Sequence, residues 1–157
     1  MTTGTSERAP TSTDLITLVT DAWGWTGIAP AQIVGDNPFG NLMIEDHGGC
    51  YWRLCPEDLY CTVIARSRAE LDALARDQDF LQDWYMAALL QQAEERLGTL
   101  QPGHAYCLKI PGALGGEYGG GNLATVPLAE LIGASGSMAQ QIDGLPEGAQ
   151  VKLSVVE

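Results

Sequence analysis

The chain has 157 residues, 45% of them hydrophobic and 18% charged, with a mean hydropathy near zero, so a single domain with its own core is within reach. Its 20 acidic side chains against 8 basic ones leave a formal charge of −12 and a sequence pI of about 4.3. Such a surface repels phosphate backbones and anionic membranes, which argues against direct nucleic-acid or membrane binding, and it draws in basic proteins.

No apolar stretch approaches the length of a membrane span, and the opening MTTGTSERAPTST lacks the apolar centre of a signal peptide. Cys50, Cys55, Cys61 and Cys107 lie in or beside strand-like runs without a CxxC pair. That is the pattern of reduced, buried thiols in a cytoplasmic protein, not of a zinc site.

Taken in order, residues 1–12 are rich in Thr, Ser and Pro and read as a disordered tail ahead of one domain over 13–157. From Thr13, a plausible cap, Leu15, Leu18, Val19, Ala22 and Trp23 follow helical spacing. Pro30 starts a short turn, and Gly35-Asp36-Asn37-Pro38 reads as another. Phe39 to Asp46 and Cys50 to Leu54 flank His47-Gly48-Gly49 as a hairpin, and Tyr60 to Ala65 adds a third strand. Both connections are too short to cross over, so these strands form an antiparallel meander. Tyr51, Arg53 and Cys55 share one face of the middle strand, and Trp52 and Leu54 the other.

Ser67-Arg68-Ala69-Glu70 has the form of a capping box for a short helix to about Arg76. Asp79 is the expected cap of one long helix over about 80–97, ended by Gly98, whose broad apolar face predicts a middle with little exposure. Ala105 to Ile110 is the next strand, and Pro111 ends it. Six glycines between Gly112 and Gly121 make a loop whose tip offers Glu117 and Tyr118, and Leu123 to Val126 leads out. Leu128, Leu131, Ile132, Ser135, Ala139 and Ile142 mark a last helix, with a kink expected at Gly133 and Gly136. After a turn at Gly144 to Gly148, Val151, Leu153 and Val155 alternate as a closing strand. This order of elements implies an α+β fold, an antiparallel or mixed sheet packed against helices.

Chemistry is harder to place. His47 sits in a hairpin tip and His104 at a strand start, no GxSxG is present, and the glycine loop is not followed by Lys-Ser/Thr or by a helix N-terminus. Neither a nucleophile-base pair nor a phosphate cradle is indicated, and a small hydrolase using His47 or His104 with a nearby carboxylate stands as the remote alternative.

Three motifs carry a family resemblance: Phe39-Gly40-Asn41-Leu42, Tyr51-Trp52-Arg53-Leu54-Cys55-Pro56-Glu57, and Pro111-Gly112-Ala113-Leu114-Gly115-Gly116-Glu117 with Asn122-Leu123 after it. From about Phe39 to Val155 the chain resembles a bacterial domain of unknown function that also forms the C-terminal part of Tdi-type immunity proteins, the antitoxins of type VI secretion DNases. The resemblance implies an antitoxin that binds and blocks a cognate nuclease toxin, a basic protein, without catalysis, cofactor or metal. A generic acidic interaction or regulatory module is the alternative. Charge, aromatic surface and expected exposure single out Glu45, Asp46, Trp52, Glu57, Asp58, Glu117 and Tyr118 as partner-binding residues.

Overall fold

Thr11, two residues ahead of the expected cap, opens helix α1 (Ser12–Trp23): its hydroxyl accepts from the Asp14 amide at 3.1 Å, and the Asp14 carboxylate accepts from the Thr11 amide at 2.9 Å. This reciprocal pair satisfies two amides that a helix start leaves unbonded. The computed structural model describes residues 9–145, so most of the N-terminal segment and the closing strand expected at Val151, Leu153 and Val155 lie outside the described residues.

A strand not expected from the sequence follows, β1 (Pro30–Asp36), where a turn at Pro30 is the sequence reading. It pairs antiparallel with β2 (Leu42–Asp46), with register shifts between Pro30 and Gln32 and between Ile33 and Gly35. A proline at the strand's first residue and a glycine near its end are the edge-and-bulge features that hide a strand from pattern reading. The expected meander, β2 with β3 (Tyr51–Cys55) and β4 (Tyr60–Ala65), completes a four-stranded antiparallel sheet in the order β1-β2-β3-β4.

Period-two alternation then decides what each face meets. Leu42, Ile44 and Leu54 point into the larger core, formed with Leu15, Val19 and Trp23 of α1 and with Ile132 and Ala139 of α5 (Leu128–Ile142). The Trp23 indole donates to the Ile132 carbonyl at 3.1 Å, fixing one helix against the other. α5 runs unbroken through its glycines. Gly136 is instead a close-contact position, where any Cβ would collide with the Ala22 backbone, while nothing lies within 4 Å of a Cβ at Gly133. The sequence reading of both glycines as breaks is therefore corrected: tertiary contact with α1 outweighs the helix-weakening tendency of glycine.

The opposite sheet face meets the long helical segment, which is one bent rod over residues 78–97. Ser67 caps α2 (Arg68–Leu74) as expected, but Asp77, not Asp79, caps α3 (Gln78–Tyr85) by accepting from the Asp79 and Phe80 amides at 2.9 and 3.2 Å. Met86, left-handed at φ 47°, separates α3 from α4 (Ala87–Leu97). The expected burial of the rod's middle is also corrected. Only Trp84 and Ala93 are buried along it; Met86, Leu89 and Leu90 pack against the second core but stay half-buried, and Ala87 and Ala88 are exposed.

Ala93 meets a second core of Phe39, Tyr106, Leu108 and Leu123, built on the two-stranded antiparallel pair β5 (His104–Leu108) and β6 (Leu123–Pro127). The glycine loop joins those strands, and the Tyr106 amide, bonded to the Pro38 carbonyl at 2.9 Å, links this pair to the loop before β2.

Candidate functional site

The residues singled out from sequence fall into two groups at opposite ends of β3. At the hairpin end, the Asp46 carboxylate accepts from the Gly48 and Cys50 amides at 2.8 and 2.9 Å and from the Trp52 indole at 2.8 Å. These bonds, the Trp52 one foremost, hold its carboxyl below the usual range, and they make Asp46 the organiser of the turn. Trp52 is half-buried on the core side of the sheet. Glu45 accepts from the Gln32 side chain across the β1–β2 pair at 2.6 Å. A shallow dish lies over these groups and includes His47, yet among the described residues no carboxylate hydrogen-bonds its imidazole. His104 keeps its Nδ1 3.2 Å from the Pro102 carbonyl oxygen.

At the other end of β3, Pro56–Asp58 form a short 3-10 turn that carries Glu57 inward and Asp58 outward. Glu57 is 6% exposed, so the exposure expected of it is not found. Its carboxylate accepts from Asn41 at 2.8 Å, Asn41 in turn accepts from the Arg53 Nε at 2.9 Å, and the Arg53 guanidinium continues to Asp83. Burial pushes the Glu57 carboxyl up, and the Asn41 bond partly offsets this. Arg53 is itself only 4% exposed and lies 5.1 Å over the Trp84 ring. Burial alone would favour its neutral form, but the Asp83 hydrogen bond reverses the balance and holds its proton more firmly. Asp83 remains outside, its side chain 68% exposed.

The Asp58 carboxylate accepts from the Tyr118 hydroxyl, sixty positions away in sequence, and from the Cys55 thiol at 3.8 Å. Cys55, Glu57 and Asp58 place one potential metal-ligand atom each within 4.8 Å of one another. Burial, reinforced by the Glu57 charge, pushes the Cys55 thiol well above its ordinary range, and the thiol hydrogen-bonds the Asp58 carboxylate.

Tyr118 is brought to Asp58 by the glycine loop. Gly112 leaves room where a Cβ would strike the Tyr118 hydroxyl, and Gly116 passes so close to the Ile110 carbonyl that no Cβ fits. Asn122 closes the loop: its Oδ1 accepts from the Ile110 amide at 2.9 Å, and its Nδ2 donates to the Ile110 and Glu117 carbonyls at 2.9 and 2.8 Å.

Between this loop and the bent rod runs an open groove of about 890 Å³. Its apolar lining includes Leu81, Tyr85, Met86 and Leu89, and its acids are Glu57, Asp58 and Asp83. No Lys, Arg or His is among the lining residues. Tyr85 and Tyr118, both lining it, are 60% and 50% exposed. The bend that shapes the groove is held from below, where the Asn37 side chain donates to the Trp84 carbonyl at 2.9 Å. Glu117, singled out from sequence, lies exposed on the glycine loop outside the groove's lining; of the residues in that lining, sequence reading singled out Glu57, Asp58 and Tyr118 but not Asp83, Tyr85 or Met86. A surplus of apolar residues around the rod, more than one stripe needs, is the signal that could have found them.

No helix among the described residues is long and apolar enough to cross a membrane. Residues 65–139 match the family described as T6SS immunity protein Tdi1, C-terminal. The matched segment takes in the bent rod, the glycine loop and β6, whereas the resemblances at Phe39–Leu42 and Tyr51–Glu57 lie ahead of it. No curated protein matches the chain.

Proposed function

We propose, from the match of residues 65–139 to a type VI secretion immunity-protein family, that this chain is a cytoplasmic antitoxin that neutralises a cognate DNase effector by direct contact, without catalysis or a cofactor. The family match over residues 65–139 is the observation that carries this reading, and the chain's charge of −12 supports it. A nuclease must present a positive cleft to its phosphate-rich substrate. An acidic protein is attracted to that cleft, meets it quickly, and excludes DNA by occupying it.

The test is co-expression with the nuclease encoded by the adjacent reading frame. This chain should preserve host DNA and viability and co-purify with the nuclease as a complex. Unprotected DNA and no complex between the purified pair would overturn the reading. The contribution of charge is measured with Glu45→Lys and Glu117→Lys combined, which should slow association and make it less sensitive to salt. Reversing Glu57 or Asp46 would not be informative, because one is bonded inside the protein and the other organises the hairpin turn.

A further inference from the structure

We infer that the groove between the bent rod and the glycine loop is the recognition surface for the effector, and that it takes an amphipathic segment presenting a Lys or Arg between apolar side chains. The inference rests on the immunity reading and says where and by what chemistry the contact is made.

Five observations converge on it. The groove's acids, Asp58 and Asp83 on its rim and Glu57 beneath, are not matched by any base in its lining. Arg53, the cation bonded to Asp83, is buried and already stacked on Trp84, so a cation from outside can still be accommodated at the exposed carboxylate. Between the acids lie exposed Tyr85 and half-buried Leu81, Met86 and Leu89, which give the groove an apolar floor with one projecting aromatic ring. Exposed tyrosines at the groove, Tyr85 and Tyr118, are the residue type that anchors protein partners, with large contact area and few rotatable bonds. Met86 holds a left-handed backbone that disfavours any side chain, and strain of this kind is concentrated at binding surfaces.

The shape also selects the occupant. A small-molecule site encloses most of its ligand, whereas this groove is open to solvent along an exposed helix face and suits a segment of chain laid into it. The hairpin end differs: its Asp46 and Trp52 polar atoms already bond each other, which leaves Glu45 to assist encounter by charge alone.

The experiment uses the full chain and the purified nuclease from the adjacent reading frame, with affinity and rates read by surface plasmon resonance. Tyr85→Ala and Ala88→Arg change exposed helix positions and should leave the melting curve nearly unchanged. Tyr85→Ala is expected to weaken binding by about thirtyfold through faster dissociation. Ala88→Arg, which places a cation in the groove, should weaken it by about a hundredfold or more. Glu45→Lys should alter only the association rate, by about threefold. If wild type binds and both groove variants bind equally well, the groove inference falls while the immunity reading stands. If wild type forms no complex, both fall together.

Discussion

Helix α5 and the bent rod of α3 and α4 both carry apolar residues at helical spacing, yet only α5 buries its stripe. Along α5, Ile132, Ser135, Gly136 and Ala139 are buried against α1, whose backbone approaches so closely that Gly136 has no room for a side chain. The rod buries Trp84 and Ala93, packs Met86, Leu89 and Leu90 partly against the second core, and leaves Tyr85, Ala87 and Ala88 in solvent. Periodicity specifies that a helix has an apolar face, and only the rest of the fold decides whether the chain itself covers that face. A face left uncovered is surface available to another molecule.

The contrast is sharpest at α5's own glycines. Gly136→Ala should destabilise the fold by about 1–3 kcal/mol, since the new methyl group must displace the Ala22 backbone. Gly133→Ala has open space and should stabilise it by about 0.5–1 kcal/mol through the smaller entropy lost in forming the helix. Urea melts at equal m-value give both numbers, and equal signs would mean that α1 and α5 are not in close contact. On the rod, Met86→Gly should be more stable than Met86→Ala by about 1 kcal/mol, because only alanine keeps a Cβ in the left-handed backbone. The reverse order would show that the bend does not persist in solution.

The smallest effect lies beneath the groove. Glu57's folded-state carboxyl is held above its ordinary value of 4.5 by burial, so the folded chain binds this proton more tightly than the unfolded chain does. Its contribution to stability is therefore full below 4.5 and fades as pH rises through the raised value. Glu57→Gln can still accept from Asn41 and does not titrate. Its stability relative to wild type should rise with pH across that window and then level off. Parallel pH profiles for the two proteins would show that the carboxyl is not desolvated.

Much of this fold was legible because the signals are local. The hairpin glycines, the Ser67 cap, the Gly98 stop and the strands on either side of the glycine loop each depend on a few neighbouring residues. The bend at Met86 was not legible: the run Trp84-Tyr85-Met86-Ala87 contains no glycine or proline, and the turn is supported by Asn37, far away in sequence. The same limit applies at the candidate site. Glu57 read as a surface charge because its partner Asn41, which also bonds Arg53, lies more than ten positions away. Tyr118 was recognised as a loop-tip aromatic, but its pairing with Asp58 across sixty positions has no trace in the linear pattern.

Asn122 gives the glycine-rich wall an unusual thermodynamic character. Its single carboxamide ties Ile110 and Glu117 together before any partner arrives, so a segment with six glycines has already lost much of its backbone freedom in the unbound protein. In the proposed complex little further ordering of this loop would remain to oppose binding. Asn122→Ala would shift that ordering cost onto the binding step, visible in calorimetry as a larger entropic penalty for a complex of the same composition.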